Sequence, residues 1–156
     1  MIDMTPPLTT TPAGFRPLTL EPNGFIEVNG PLYGKGEGDR FMLGIRVEPR
    51  HCNPRNACHG GMLMTLCDMQ LALGSNYQGK LLRFLPTVNL NADFLAPAPL
   101  GSWVEGRTEV LRVTRNLVFA QAILTADGTP VLRGNGIFKL GSEIDPSFSV
   151  ERFLGS

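Results

Sequence analysis

The chain has 156 residues, 42% of them hydrophobic and 18% charged, an ordinary composition for one globular domain with its own core. Fourteen basic residues balance fourteen acidic ones without a charge run, which disfavours nucleic acid or an anionic membrane as the main partner. Three cysteines, an odd number, argue against a disulfide framework and fit a reducing cytoplasm, and neither a signal peptide nor an apolar stretch of membrane-spanning length is evident.

The first third of the chain combines turn-rich segments with short candidate strands. Residues 1–20 are rich in Pro and Thr, which predicts a mobile or loosely docked arm ahead of a domain spanning residues 21–141. Short extended segments are expected at residues 25–28, 32–35 and 41–47. Pro49 should end the last of these, and a loop over residues 51–59 follows.

A long helix is the central predicted element. It should run over about residues 60–76 and end near Gly79. Between Arg55 and Lys80 the single formally charged residue is Asp68. Because the other side chains are apolar on every side of the helix, we expect it to be buried rather than to lie on a surface.

Four strands should follow the helix. Strict alternation of apolar and polar residues predicts the first at residues 87–94, and tight turns join the next three into an antiparallel meander. The meander strands are expected at residues 103–113, 117–125 and 131–140. One helix with five or six antiparallel strands is the α+β pattern in which a sheet wraps a helix.

Two features near the C-terminus bear on packing. Gly134 and Gly136 alternate on the last predicted strand, where they would let the helix approach the sheet closely. A tail over residues 142–156 carries Phe148 and Phe153, both candidates to dock on the domain.

Asp68 is the first candidate functional residue, because a carboxylate on a buried helix is costly unless something stabilises it. On this residue alone, a structural role as a loop cap or at a solvated helix edge stays open. Gly60 and Gly61 sit where the helix should begin, and a helix N-terminus offers unpaired N–H groups and a partial positive charge. Without a side chain on Gly60, a ligand oxygen could approach these groups, as the oxyanion of a thioester or ester under attack requires.

The spacing of these two features indicates how they could cooperate. Asp68 lies about 12 Å of helical rise from Gly60, too far to serve the same atom within one chain. The spacing therefore suggests a dimeric active site in which a second copy supplies Asp68. Since the edge strands of a wrapped sheet also need covering, we expect a dimer built by joining two sheets, paired again into a tetramer.

Residues 53–68 resemble the signature of hotdog-fold thioesterases of the phenylacetic-acid-degradation (PaaI-like) type. The shared pattern is an asparagine, five residues, His-Gly-Gly at 59–61, and an acid on the helix nine residues after the histidine. The similarity extends through the strands to about Lys139. One departure is Asn56, where Gly is common, although Asn also tolerates a left-handed turn. The resemblance implies a hotdog fold and an acyl-CoA thioesterase without a metal or redox cofactor.

The resemblance also implies roles for four residues. Asp68 would be the catalytic carboxylate, and both attack on the thioester carbonyl and activation of a water stay open. The Gly60 N–H of the opposite subunit would polarise the carbonyl oxygen, and Asn53 would orient the site through its amide. Thr87 begins the strand after the helix, where related thioesterases have Ser or Thr, so its hydroxyl could position the hydrolytic water. On propensity alone, a β-favouring residue at a strand start is the better explanation of Thr87.

By the same resemblance, CoA would lie across the dimer surface against residues 94–99 and 112–117. Arg115 is a natural partner for a CoA phosphate, or else a solvated turn residue. The substrate contacts expected are His59, Gly61, Asn89, Phe94, Leu95, Ala96, Pro97, Thr114, Arg115, Asn116, Leu117 and Lys139. The acyl group is not defined, because aryl, short-chain and medium-chain thioesters all suit the family.

A cluster of His and Cys before the helix offers rival chemistry: His51, Cys52, Cys58 and His59. Zinc is disfavoured, because the two cysteines are separated by five residues and no second Cys pair follows. Cys67, mid-helix among apolar residues, is typical of inert packing, whereas Cys58 beside His59 stays open as a nucleophile. His59 itself is expected to tie the loop to the helix start rather than to act as a general base.

Two other functions compete with hydrolysis. Enoyl-hydratase relatives of this fold carry an Asp two residues before an Asn-Pro pair and a His two residues after it. Here those positions hold His51 and Asn56, so hydration is disfavoured. A non-enzymatic acyl-CoA-binding protein would not need a carboxylate on the helix, so Asp68 weighs against that interpretation.

Overall fold

The chain folds as one antiparallel sheet around one long helix in a computed structural model that describes residues 10–19 and 24–150. The strands are β1 (Arg16–Pro17), β2 (Tyr33–Glu37), β3 (Arg40–Arg46), β4 (Thr87–Phe94), β5 (Trp103–Val113), β6 (Leu117–Ala126) and β7 (Thr129–Lys139). The helices are α1 (Gly24–Asn29) and α2 (Gly60–Gly79), with short 3₁₀ turns at Pro49–His51 and Pro146–Phe148.

The strand order across the sheet is β1-β2-β3-β5-β6-β7-β4. Because α2 packs against all strands from β3 to β7, the sheet wraps the helix, and the fold expected from the sequence is confirmed. The seven strands exceed the expected five or six because β1, a two-residue strand in the N-terminal arm, pairs with β2. β4 is a terminal strand that pairs with β7, and among the described residues its second edge is free.

The predicted strand at residues 25–28 is wrong, because this segment forms α1. The turn is closed by the Gly30 N–H, which donates to the Ile26 carbonyl at 2.6 Å. The Asn29 side-chain amide donates to the Phe25 carbonyl at 2.8 Å. A four-residue apolar run is too short for periodicity to separate a strand from a helical turn.

Described residues near both ends of the chain pack onto the domain. In the described part of the N-terminal arm, the Phe15 ring packs edge-on against Trp103 with centroids 5.0 Å apart. Residues 1–9 and 20 of that predicted arm lie outside the described residues. In the C-terminal tail, Val150 is buried in the core and Phe148 is exposed, whereas Phe153 lies outside the described residues.

The long helix begins at the predicted residue and extends to Gly79, but it is buried on one side only. Its buried residues are Met62, Leu63, Leu66, Cys67, Gln70, Leu71, Gly74 and Ser75. Asp68, Met69, Ala72 and Leu73 are half-buried. The prediction that α2 is buried on every side is therefore wrong for a single chain. The less buried side of the helix is rich in apolar groups, as expected of a surface that a partner covers.

A buried glutamine fixes the rotation of α2. The Gln70 side-chain nitrogen donates to the Phe41 carbonyl at 2.9 Å and to the Thr108 hydroxyl at 2.8 Å. Its oxygen accepts from the Leu43 N–H at 2.7 Å. Asp68, two residues earlier, is displaced by about 200° around the helix axis, so it faces away from β3 and β5, the strands to which Gln70 bonds.

Two glycines of β7 allow α2 to lie this close, as the sequence predicted. A Cβ on Gly134 would overlap the Cys67 sulfur, and one on Gly136 would lie 3.1 Å from Leu71 Cδ1. Protein interiors have no spare volume at such contacts, so glycine is required for packing here rather than for backbone freedom.

We expect Gly134→Ala to lower the free energy of unfolding by about 1–3 kcal/mol, the usual cost of overpacking a core. Cys67→Ala in the same protein removes the overlapping sulfur and should restore most of the loss. Gly24→Ala is the control, because a Cβ there meets no atom of the described residues within 4 Å. Urea unfolding of the four proteins measures the effect, and an equal loss with and without Cys67→Ala would show that the sulfur contact is not the cause.

Candidate active site

Asp68 and Thr87 meet on the uncovered side of α2. The Thr87 hydroxyl donates to Asp68 Oδ1 at 2.6 Å. Thr87 is the first residue of β4, and Asp68 projects toward it from the middle of the helix. Within the described part of the chain, Asp68 accepts no other hydrogen bond and forms no ion pair, so it caps no loop backbone.

The start of α2 leaves one backbone donor unused. The Gly61 N–H donates to His59 Nδ1 at 2.8 Å. The N–H groups of Met62 and Leu63 donate to the His59 carbonyl at 2.9 and 3.1 Å. Among residues 10–19 and 24–150, the Gly60 N–H has no acceptor. Gly60 therefore presents the free donor of a helix N-terminus, where the macrodipole also favours negative charge.

His59 serves as the N-cap of the helix. Because Nδ1 accepts from a backbone N–H, its lone pair is occupied and the ring proton of the neutral form resides on Nε2. Neither ring nitrogen is then free to accept a proton from a substrate or water. This geometry supports the expectation that His59 ties the loop to the helix start.

Asn53 organises the loop before the helix. Its side-chain oxygen accepts from the N–H groups of Arg55 at 2.9 Å and Ala57 at 3.3 Å. Asn56 adopts the left-handed conformation that the sequence suggested, with φ 56°. With its oxygen engaged in the loop, Asn53 has its amide nitrogen as the group that could donate to a substrate.

A pocket of about 370 Å³ joins the loop, the helix start and the end of β4. Its lining includes six of the predicted residues: Asn53, Gly60, Phe94, Leu95, Ala96 and Pro97. The Phe94 ring lies 3.3 Å from where a Cβ on Gly60 would be, and its side chain is 55% exposed. Asp68 and Thr87 do not line this pocket.

A second group of predicted residues lies at the opposite end of β4. Lys139 is paired with Leu117, and its N–H donates at 2.9 Å to the carbonyl of Pro86, the residue before Thr87. The Thr114 hydroxyl accepts from the Leu117 N–H at 3.0 Å, which closes the turn that carries Arg115 and Asn116. The turn, Lys139 and the Asp68–Thr87 pair therefore share one end of the sheet.

Asn89 is the predicted contact that the fold separates from the others. Its neighbours Leu90 and Ala92 pack toward the core. By strand alternation Asn89 then lies on the sheet face opposite α2, and it accepts a hydrogen bond from Asn91 there.

The geometry gives little support to a metal site or a cysteine nucleophile in the loop before α2. His51 is buried, with Nδ1 accepting from the Glu48 N–H at 3.0 Å and Nε2 donating to the Asn29 carbonyl at 2.7 Å, a structural role. No group of three or more His, Cys, Asp or Glu side chains suited to a metal occurs in the described ranges. Burial, with a smaller contribution from Cys52, raises the pKa of the Cys58 thiol to about 12. A thiol with that pKa is a poor nucleophile at neutral pH.

The Cys67 thiol is similarly inert. Burial, together with the charge of Asp68, raises its pKa to about 11. It also faces Gly134 in the core rather than the uncovered side of the helix.

Comparisons with known proteins agree with this architecture. The family description "Thioesterase superfamily" matches residues 56–132, which hold the helix and most of the meander. Over these residues the chain is similar to the thioesterase superfamily. The resemblance seen in the sequence is thereby confirmed at the level of the family.

Three relatives match by sequence, and two of them align over most of their own length. A Pseudomonas aeruginosa protein provisionally named an esterase is 29% identical over 134 residues, covering 85% of this chain and 99% of the relative. Acyl-coenzyme A thioesterase 13 of Mus musculus is 28% identical over 102 residues, covering 63% of this chain and 69% of the relative.

Two solved structures share the fold. Zebrafish thioesterase superfamily member 2 has a TM-score of 0.69 at 26% identity, covering 78% of this chain and 89% of that one. A point mutant of the phenylacetic acid degradation protein PaaI from Thermus thermophilus has a TM-score of 0.65 at 23% identity, covering 75% and 98%. Over the residues described, no helix of the chain is long and apolar enough to cross a membrane.

Proposed function

We propose that the protein is an acyl-CoA thioesterase whose active site is completed by a second copy of the chain. The observation that carries the proposal is that the two groups of candidate residues lie at opposite ends of β4 within one chain. Asp68 and Thr87 stand at the start of β4, whereas the free Gly60 N–H and its pocket stand at the end. The seven residue steps of β4 place these ends about 23 Å apart along the strand.

Pairing the free edges of two β4 strands brings the halves together. In an antiparallel pair centred on the strand, Thr87 of one copy lies opposite Phe94 of the other, with Cα atoms about 5 Å apart. Thr87 is bonded to Asp68, and Phe94 contacts Gly60. The pairing thus places the carboxylate of one copy beside the oxyanion donor of the other, and it covers an otherwise exposed edge strand.

The proposed reaction converts a thioester and water into a carboxylic acid and free CoA thiol. The substrate carbonyl oxygen would accept from the Gly60 N–H, which stabilises the charge that develops on that oxygen during attack. The Thr87 hydroxyl occupies Asp68 Oδ1, so Oδ2 is left to act. That oxygen either attacks the carbonyl carbon or takes a proton from the attacking water, and both routes use the same geometry.

The CoA moiety would run between the two groups of predicted contacts. Residues 94–97 flank Gly60 on one copy, and the 114–117 turn with Lys139 flanks Thr87 on the other. Arg115 is exposed and has no partner among the described residues, so it is available for a CoA phosphate. The name of the mouse relative, an acyl-coenzyme A thioesterase, supports CoA thioesters as the substrate class.

We expect Asp68→Asn to lower kcat at least about 10²-fold, the lower end for loss of a positioned general base. Thr87 can still donate to the new amide oxygen, so folding should hold. The measurement pairs thiol release from a panel of acyl-CoA thioesters with the thermal midpoint of the same preparation. Asp93→Asn is the control, since that exposed carboxylate on β4 pairs with Arg133 instead. Full turnover after Asp68→Asn would contradict the mechanism, and CoA binding without turnover in the wild type would make the protein a binder.

A second expectation isolates the Gly60 N–H. Gly60→Pro removes this donor at the first helical position, where proline is well tolerated. His59 already has φ −59° and ψ 137°, as a residue before proline requires. Gly60→Pro should lower kcat by about 10²–10³, the cost of losing one oxyanion donor. Gly60→Ala keeps the donor and adds a comparable Cβ, so it should retain most activity.

Mixing the two inactive proteins tests whether the halves come from different copies. After full subunit exchange, Asp68→Asn with Gly60→Pro should recover about a quarter of wild-type activity, because each mixed two-fold dimer has one intact site. A site within one chain would recover none. A mass near 17.0 kDa by light scattering at micromolar concentration would also contradict a shared site.

Arg115→Ala should raise KM with little change in kcat, because a phosphate contact binds ground and transition states alike. The increase should shrink at high salt, as for an exposed ion pair. Arg107→Ala is the matched control, an exposed arginine in the middle of β5 and away from the turn. Steady-state kinetics at low and high salt provide the measurement, and an unchanged KM would leave Arg115 as a solvated turn residue.

A further inference from the structure

Two of the three free cysteines face each other across the loop that precedes α2. Cys52 and Cys58 form an isolated antiparallel bridge. The flanking hydrogen bonds run from the Asn53 N–H to the Ala57 carbonyl at 2.8 Å and from the His59 N–H to the His51 carbonyl at 2.7 Å. This pattern makes Cys52 and Cys58 a non-hydrogen-bonded pair, in which the two Cα atoms are about 4.5 Å apart and both side chains lie on one face.

That arrangement lies within the range that a disulfide needs. Bridged cysteines have Cα atoms about 4.4–6.8 Å apart and Cβ vectors that converge. Opposed residues of an antiparallel pair meet both conditions without backbone movement. Cys67 is not positioned to form a disulfide with Cys52 or Cys58, because it is fully buried on α2 against Gly134.

We propose that Cys52 and Cys58 are a modification site, at which a peroxide oxidises the two thiols to an intramolecular disulfide that locks the loop carrying Asn53. The site is independent of the proposed hydrolysis, since it depends only on the geometry of the loop. Five residues lie between the cysteines, and Gly60 follows Cys58 by two positions. The crosslink would therefore hold the segment from Asn53 to the helix start.

The half-exposed thiol would react first. Cys52 borders an open pocket of about 310 Å³ that admits a small oxidant, whereas Cys58 is 5% exposed. The Cys52 thiolate attacks one peroxide oxygen, giving a sulfenic acid and a hydroxide that takes up the proton lost by the Cys52 thiol and becomes water. The Cys58 sulfur then attacks the Cys52 sulfur and expels hydroxide, which takes up the Cys58 proton as water. In total two thiols and one peroxide give one disulfide and two waters.

The rate of ring closure should depend on pH. The pKa of Cys58 is raised to about 12, so its thiolate fraction is small at neutral pH and grows as the pH rises. Closure should therefore accelerate from neutral to alkaline pH. Oxidation removes the weak hydrogen bonds that the Cys52 and Cys58 thiols donate to the carbonyls of Glu48 at 3.4 Å and His59 at 3.9 Å. The constraint that the crosslink places on the unfolded chain should still raise the thermal midpoint of the oxidised protein.

The test uses the Cys67→Ser protein, which retains Cys52 and Cys58 alone. After treatment with hydrogen peroxide, thiols are titrated in denaturant, the intact mass is measured and trypsin is added. Cleavage after Arg50, Arg55 and Lys80 places one cysteine on residues 51–55 and the other on residues 56–80. We expect both thiols to be lost, a mass lower by two hydrogens, and a disulfide-linked peptide pair that a reductant separates.

The control protein carries Cys52→Ser as well, and its remaining Cys58 should stay a free thiol under the same treatment. Two retained thiols in the Cys67→Ser protein would overturn the proposal, as would a sulfinic acid on Cys52 beside a free Cys58. A disulfide between chains, visible on a non-reducing gel, would do the same. If Cys67→Ser fails to fold, the wild-type protein is used instead. Cyanogen bromide cleavage after Met62 separates Cys58 from Cys67, so a disulfide between Cys52 and Cys58 can be distinguished from one that involves Cys67.

Discussion

The packing of α2 against the sheet through Gln70 is the constraint on which the rest of the structure depends. The Gln70 amide forms hydrogen bonds with the main chain of β3 and with Thr108 of β5. Rotation of the helix about its axis, or its movement away from the sheet, would leave these buried polar groups unpaired. Each unpaired group would cost about 1–3 kcal/mol. Fixing the rotation of the helix fixes the direction of Asp68. The position of the candidate catalytic carboxylate is thus a consequence of a core hydrogen bond on the opposite side of the helix.

The same constraint leaves surfaces of the single chain uncovered. Because Gln70 and the glycines of β7 hold one side of α2 against the sheet, the apolar residues on the other side are left without full cover by the described part of the chain. Among the described residues, one edge of β4 likewise has no neighbouring strand to accept or donate its backbone hydrogen bonds. Apolar exposure beside an unpaired strand favours association through that edge. The two halves of the candidate site flank this strand, so association and completion of the site have a common cause.

The sequence predicted the long elements and the short strands near residues 32–35 and 41–47, but it assigned residues 25–28 to the wrong type of element. The alternation in residues 87–94 and the turns of the meander are local signals that burial reinforces, and β4 and β5 begin and end at the predicted residues. Residues 25–28 carried no such signal, and the local hydrogen bonds of Asn29 and Gly30 close a helical turn there. Gln70 was missed because an amide in an apolar helix gives no local indication of its distant partners, although a polar residue on the buried stripe was a clue. Asn89 was assigned by resemblance, without regard to which face of the strand it occupies.

The electrostatics of Asp68 connect association with reactivity. In one chain the carboxylate is half-buried, so water screens it and its burial costs little. A second copy placed over β4 would remove that water, and the Thr87 hydroxyl would then be its nearest compensating donor. Lower local dielectric strengthens the attraction between a carboxylate and a hydrogen-bond donor, but one hydroxyl offsets only part of the desolvation cost. In the proposed dimer, association would therefore exclude water from Asp68 and also bring it to its partner group.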